Sequence, residues 1–475
     1  MPTILGANSA SGAYEISNSL RLNDDDNERL YFDPSSNDST RTKYTFSTWV
    51  KLGNISTSQH RYFFGAGDHA LIGFRKASDG DASLFVQTTA GGVNAIQTNA
   101  KFRDPSAWYH IYVKLDTTQS TASNRLKLYV NGVEETSFSV DQRSNITQDS
   151  SESDVGSSGE RHNIGYSANG SGSLYDGYIA DTHLLVGTVK NHTDFGETND
   201  NGVWVPVKTS FASSDYGTNG FKFEYKQTGT SANSSGIGAD TSGNDNHFTV
   251  QNLNAQNVTT DTPSNNFCTL NPLYQQGSNA FSEGNCKVVL EAGDGSKGAA
   301  GNIAPANGKW YWEVKQGSAT NSSILVREAS DKEDDLSYYQ GNFAAYVFNN
   351  GNQNITGNTN STYGPSYSSG DIIMVAMDMD NDRVYFGKNG SWIDGSGNAD
   401  EANLSDYVPL NGVTNGLGAF ANANGGATAT AEFNWGNPSF SISSPQSDAN
   451  GYGNFEYDVP SGYYALCTKN LAEFG

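Results

Sequence analysis

The segment from Gly370 to Gly390 constrains the fold more than any other part of the chain. It reads Ile372-Ile373-Met374-Val375-Ala376-Met377-Asp378, then Met379-Asp380-Asn381-Asp382, then Arg383-Val384-Tyr385-Phe386-Gly387-Lys388, then Asn389-Gly390. That order predicts a strand, an acidic turn, a second strand and a two-residue turn. Asn-Gly tolerates the paired positive φ values that a tight hairpin requires. Upstream, Gly308-Lys309-Trp310-Tyr311-Trp312-Glu313-Val314 adds a further aromatic strand. Strands of this kind bury their apolar residues by packing sheet on sheet.

Helical periodicity is scarce, and the best short candidate is Asp400 to Tyr407. Charged residues make up only 17% of the chain, against about 25% in a typical domain. Gly, Ser, Thr and Asn replace them, and these residues build turns and exposed strand faces. At 475 residues the chain exceeds one core, so two domains of roughly 200 residues are expected. The net charge of −23 repels phosphate, which argues against nucleic acid or anionic lipid as a direct partner. No apolar run reaches the roughly 18 residues a membrane helix needs, so no membrane insertion is expected. Met1 to Gly6 does not open like a signal peptide, which suggests synthesis in a cytoplasm. Cys268, Cys286 and Cys467 have no metal-ligand or disulfide spacing, and are expected as buried thiols.

The first half is a succession of short strands. Tyr44 to Leu52 places Tyr44, Phe46, Thr48 and Val50 on one face. Trp108 to Asp116 and Arg125 to Val130 follow, the latter running into Asn131-Gly132, a second hairpin signal. Ile164-Gly165 and Tyr175-Asp176-Gly177-Tyr178-Ile179-Ala180-Asp181 complete the series. In this order the residues resemble the laminin-G-like, concanavalin-A-type jelly roll, over most of residues 14 to 225. The Asp240-Thr241-Ser242-Gly243-Asn244-Asp245-Asn246 turn comes late for that family, which suggests a closing edge strand or a permuted order.

In the second half, Phe433-Asn434-Trp435-Gly436 and Gly462-Tyr463-Tyr464-Ala465-Leu466 join the hairpins at Gly308 to Gly390. Together they resemble a SPRY domain over about residues 300 to 468, which implies a binding module. The expected architecture is all-β: two antiparallel β-sandwiches (jelly rolls), laminin-G/concanavalin-A-like at 1–251 and SPRY-like at 276–475, with a linker at 252–275. With Pro263 to Leu273 and Ala465 to Leu471, the whole chain resembles appendage proteins of tailed bacteriophages, particularly of marine and cyanobacterial hosts. That resemblance implies a virion protein exposed on the particle surface. Its implied partners are other virion proteins and a host cell-surface glycan, and it would be a homo-oligomer, with a trimer one option.

Catalytic constellations do not emerge. Jelly-roll glucanases place two carboxylates about 5 Å apart through a Glu-x-Asp-x-x-Glu strand, and this chain has no such run. Its seven histidines form no His-Glu-x-x-His, and there is no Gly-x-Ser-x-Gly elbow. The chain is therefore expected not to be an enzyme. Calcium is the one cofactor the residues suggest, because Asp and Asn clustered on turns supply hard oxygen ligands. The candidate ligands are Asp240, Asn244 and Asn246, and Asp176 with Asp181. The Asp378–Asp380 pair reads as turn formers, or at most as ligands for a cation. Candidate ligand-binding residues are Tyr338, Tyr339, Tyr363, Tyr367 and Trp392, since an aromatic ring beside polar loop residues suits a sugar. Glycan recognition leads. A purely structural role in capsid decoration or tail bridging comes second, and glycan hydrolysis third.

Overall fold

The computed structural model describes residues 14–475 apart from 54–58, 77–81, 89–93, 152–153, 168–172, 293–296, 319–321, 332–340, 348–350, 356–358 and 423–427. The chain divides into two compact units, with the boundary between Ser264 and Asn265.

In the first unit two eight-stranded sheets enclose one core. The Lys43–Leu52 strand lies between Trp108–Asp116 and Gly177–Val186, antiparallel to both. Its alternation sends Tyr44, Phe46 and Val50 into the core, while Trp49 packs on the outer face with Trp108 and Tyr178. Asn131 and Gly132 have φ of 48° and 77°, so the hairpin they close is the tight kind the sequence predicts. Thr249–Gln251 forms the edge of the second sheet against Arg29–Phe32, the closing edge strand expected near Asp240.

Residues 252–264 differ from the expected linker. Val258–Thr259 pairs with Ser19 and Leu20. Asn257 donates to the Arg21 carbonyl and to Glu28 at 3.0 and 2.8 Å. Asp261 is fully buried, 2.8 Å from the Lys51 ammonium and 3.1 Å from the Trp108 indole nitrogen that donates to it. Polar composition reads as connector, but here Asn257, Thr259 and Asp261 find partners on the sheet.

The second unit sets a seven-stranded sheet against a ten-stranded one. In the larger sheet Lys309–Gln316 sits between Ala429–Asn434 and Ile372–Asp378, and the latter pairs with Arg383–Lys388. Trp310, Trp312, Ile373, Val375, Val384, Phe386, Phe433 and Trp435 point inward to the core. Asn389 and Gly390 both carry positive φ, closing the short hairpin to Ser391–Ile393. Residues 400–407 are not helical: Ala399–Glu401 is a strand paired with Ser391–Ile393, and the rest is irregular. The one α-helix among the described residues is Thr468–Phe474. Cys268, Cys286 and Cys467 are buried, and burial pushes the Cys467 thiol up to about 12.

Candidate functional site

Strand alternation in the ten-stranded sheet exposes a second row of side chains on its outer face. Tyr311, Met374, Ala376 and Trp392 form an apolar layer there, covered by Phe455, Tyr463 and Ala465 from the C-terminal segment. Gly387 permits this packing: a Cβ at that position would lie 2.3 Å from the Met374 methyl and 2.8 Å from the Ser391 carbonyl oxygen.

Glu313 projects from the centre of this face and is fully buried. Its carboxylate accepts from the backbone N–H groups of Tyr457 and Glu456 at 2.8 and 3.0 Å. It also accepts from the Tyr311 hydroxyl at 3.0 Å and the Asn434 amide at 3.1 Å. Burial pushes its carboxyl up to about 7, and these four hydrogen bonds only partly offset that loss of hydration. Glu313 thus clamps residues 456–457 to the sheet.

Beside the clamp lies a groove of about 840 Å³. Met374 and Trp392 lie at its base, 1% and 5% exposed, and the half-buried Tyr457, with Asp458 and Pro460, contributes one wall and the accessible ring. Ser444, Gln446 and Asn403 add uncharged polar groups, and Glu456 adds a carboxylate. An apolar ring surface beside hydroxyl, amide and carboxylate groups suits a polar ligand with one apolar face. The first unit offers a smaller hollow of about 290 Å³. Its Asp38 is already committed to the Thr218 and Asn219 backbone N–H groups and the Asn219 amide.

Of the residues singled out from sequence, the structure brings Trp392 to this groove. Tyr363 and Tyr367 are core residues rather than binding aromatics, 2% and 1% exposed. Both rings pack on Tyr346. Phe386 donates its N–H to the Tyr363 hydroxyl oxygen, and the Tyr367 hydroxyl donates to the Tyr346 carbonyl. Tyr338 and Tyr339 lie outside the described residues. Sequence reasoning missed Tyr457 and Asp458. The adjacent aromatic–acid pair in a non-periodic stretch ending at Pro460 was the available signal.

The calcium candidates fare differently. Asp240 accepts from the Lys222 and Ser242 N–H groups on one oxygen, and from the Ser242 hydroxyl and Asn246 N–H on the other. Four donors occupy the roughly four lone-pair sites of a carboxylate. The Asn244 and Asn246 amides donate to the Gly217, Gly220 and Thr218 carbonyls. This is a hydrogen-bonded turn, not a cation cage. Asp176 is buried beside Gly53, whereas Asp181 accepts from His183 at 3.3 Å, so the two serve separate neighbours. Among the described residues no group of three or more His, Cys, Asp or Glu could hold a metal. Asp378 and Asp380 act in the turn, accepting from Asn381 and from the Gly308 N–H.

One pair in the first unit resembles a nucleophile and its base: Ser47 Oγ lies 2.9 Å from His110 Nε2. The Trp204 indole can only donate, and it reaches His110 Nδ1 at 3.1 Å. His110 therefore carries its proton on Nε2 and donates to Ser47, the wrong direction for activating a hydroxyl. Burial pushes this imidazole down to about 3, which keeps it neutral.

Residues 24–189 match the family model of the concanavalin A-like lectin/glucanases superfamily, and residues 309–414 match that of the SPRY domain. No curated protein matches the chain. Among solved structures, it is similar to the SPRY domain of human HERC1 at 15% identity and a TM-score of 0.29, over 34% of this chain and 96% of that one. It is also similar to a native heptameric SAP-like pentraxin from Limulus polyphemus at 15% identity and a TM-score of 0.27, over 38% of this chain and 81% of that one.

Proposed function

From a laminin-G-like (concanavalin A-like) domain followed by a SPRY domain, we propose a non-catalytic recognition protein that binds carbohydrate. The ligand lies in the groove over Trp392 and Tyr457. That groove carries the reading, because it joins an apolar base to polar walls beside a segment that Glu313 clamps to the sheet. A sugar ring stacks its C–H face on an aromatic ring while its hydroxyls pair with Asn403, Gln446 and Asp458. The surroundings we propose are a virion appendage that meets a host-surface glycan, supported by the chain-wide resemblance to phage appendage proteins. Single-site affinity in the millimolar range, about 4 kcal/mol, suffices when several copies act together.

A glycan array probed with the multivalent full chain tests this. The native chain should bind at least one host-type glycan, and Tyr457→Ala should abolish the signal. Silence across the array, or equal binding by the variant, would sink the proposal.

A further inference from the structure

The groove contains two carboxylates, Glu456 and Asp458, and no lysine, arginine or histidine among its lining residues. The two acids are not equivalent. Glu456 is engaged by Ser443, whose N–H donates at 2.6 Å and whose hydroxyl donates as well. Burial raises the Glu456 carboxyl, but the hydrogen bonds from Ser443 and Ser444, with a smaller contribution from Lys315, outweigh it and hold the group below its ordinary value. Asp458 is exposed at the wall, flanked by the uncharged Tyr457 and Val459. The chain's net charge of −23 adds a long-range field of the same sign.

An anionic group entering this groove meets like charge from its lining, while the nearby cation, Lys315, lies outside that lining and faces Glu456. A unit charge about 8 Å from Asp458, at an effective dielectric between protein surface and water, changes affinity about five- to tenfold. Resting on the glycan reading above, we infer that the groove selects neutral or amino-bearing sugars and rejects sugars carrying carboxylate, sulfate or phosphate. Asp458 is the residue that sets this preference. The uncharged Ser444, Gln446 and Asn403 pair with hydroxyls whatever the ligand's charge, so they contribute affinity without discriminating.

The test is titration of the full chain at low salt with three oligomers of equal length. One is a neutral hexose oligomer, one its amino-sugar counterpart and one its uronic acid counterpart. The amino oligomer should bind at least as tightly as the neutral one, and the uronic acid oligomer about five- to tenfold more weakly. At about 0.5 M salt the spread should shrink severalfold. Asp458→Asn, a change at an exposed position, should bring the three affinities within about twofold of one another, read from their ratios and not from the neutral oligomer's own affinity. Uronic acid binding equal to or tighter than neutral, or an unchanged spread in Asp458→Asn, overturns the charge rule and leaves the glycan reading standing. Binding of none of the three removes both.

Discussion

Both units close the outer face of a sheet with a polar segment pinned by one buried carboxylate, but the two carboxylates are neutralised differently. In the first unit Asp261 rides on the covering segment and meets a cation, Lys51, at 2.8 Å, with the Trp108 indole on its other oxygen. In the second unit Glu313 belongs to the sheet and meets only neutral donors: two backbone N–H groups, an amide and a hydroxyl. A paired charge stays charged when buried, whereas a carboxylate held by dipoles alone gives up much of its acidity. Glu313 therefore titrates near neutrality, at about 7. The segment it holds is also the one that walls the groove.

The contrast breaks most visibly at Asp261. Asp261→Ala removes the carboxylate facing the buried Lys51 ammonium and should cost about 3–5 kcal/mol, read from denaturant unfolding of the full chain. Adding Lys51→Met should restore much of that loss. A cost under about 1 kcal/mol would show that the pair does not hold the segment.

Acid sharpens the comparison next, because the units should respond with opposite sign. His110 and His162 of the first unit are both neutral in the fold, pushed by burial down to about 3 and about 4 from an ordinary 6.5. Each has a ring nitrogen that accepts an N–H, from Trp204 in one case and Gly156 in the other. Protonation would therefore set donor against donor. Their contribution is present above pH 6.5 and lost as pH falls toward those lower values, about 4 kcal/mol in total by pH 5. Glu313 runs the other way. Its contribution is full below an ordinary 4.5 and lost as pH rises through about 7, an effect of about 3 kcal/mol. Hydrogen exchange followed separately in the two units from pH 8 to pH 5 should show the first weakening and the second strengthening. Glu313→Gln should flatten the second response alone. Parallel slopes in the two units would refute the assignment.

The smallest effect concerns the groove floor. Gly387→Ala forces the Ser391 carbonyl or the strand to shift, at about 1–2 kcal/mol. It should weaken sugar binding more than it weakens the fold, since Met374 and Trp392 line the groove.

Local signals were legible in the sequence, and long-range ones were not. The Asn131-Gly132 and Asn389-Gly390 turns and the inward row Tyr44, Phe46 and Val50 follow from period and turn chemistry, which act within a few residues. The segment 252–264 reads as linker because its polar residues find partners such as Lys51, 210 positions away. Tyr363 and Tyr367 resemble rim aromatics because Ser and Gly flank them, yet Tyr346 draws both into the core. Trp392 was identifiable as an aromatic beside a turn. Tyr457 and Asp458 become partners of Trp392 only through Glu313, 143 and 144 residues before its clamp points.

The most direct measurement is a crystal structure of the full chain grown with a neutral oligosaccharide that binds it. Sugar density over the floor formed by Met374 and Trp392, with one ring facing Tyr457, is the predicted result. Sugar density confined to the first unit, with nothing between Trp392 and Tyr457, would contradict the placement of recognition in the second.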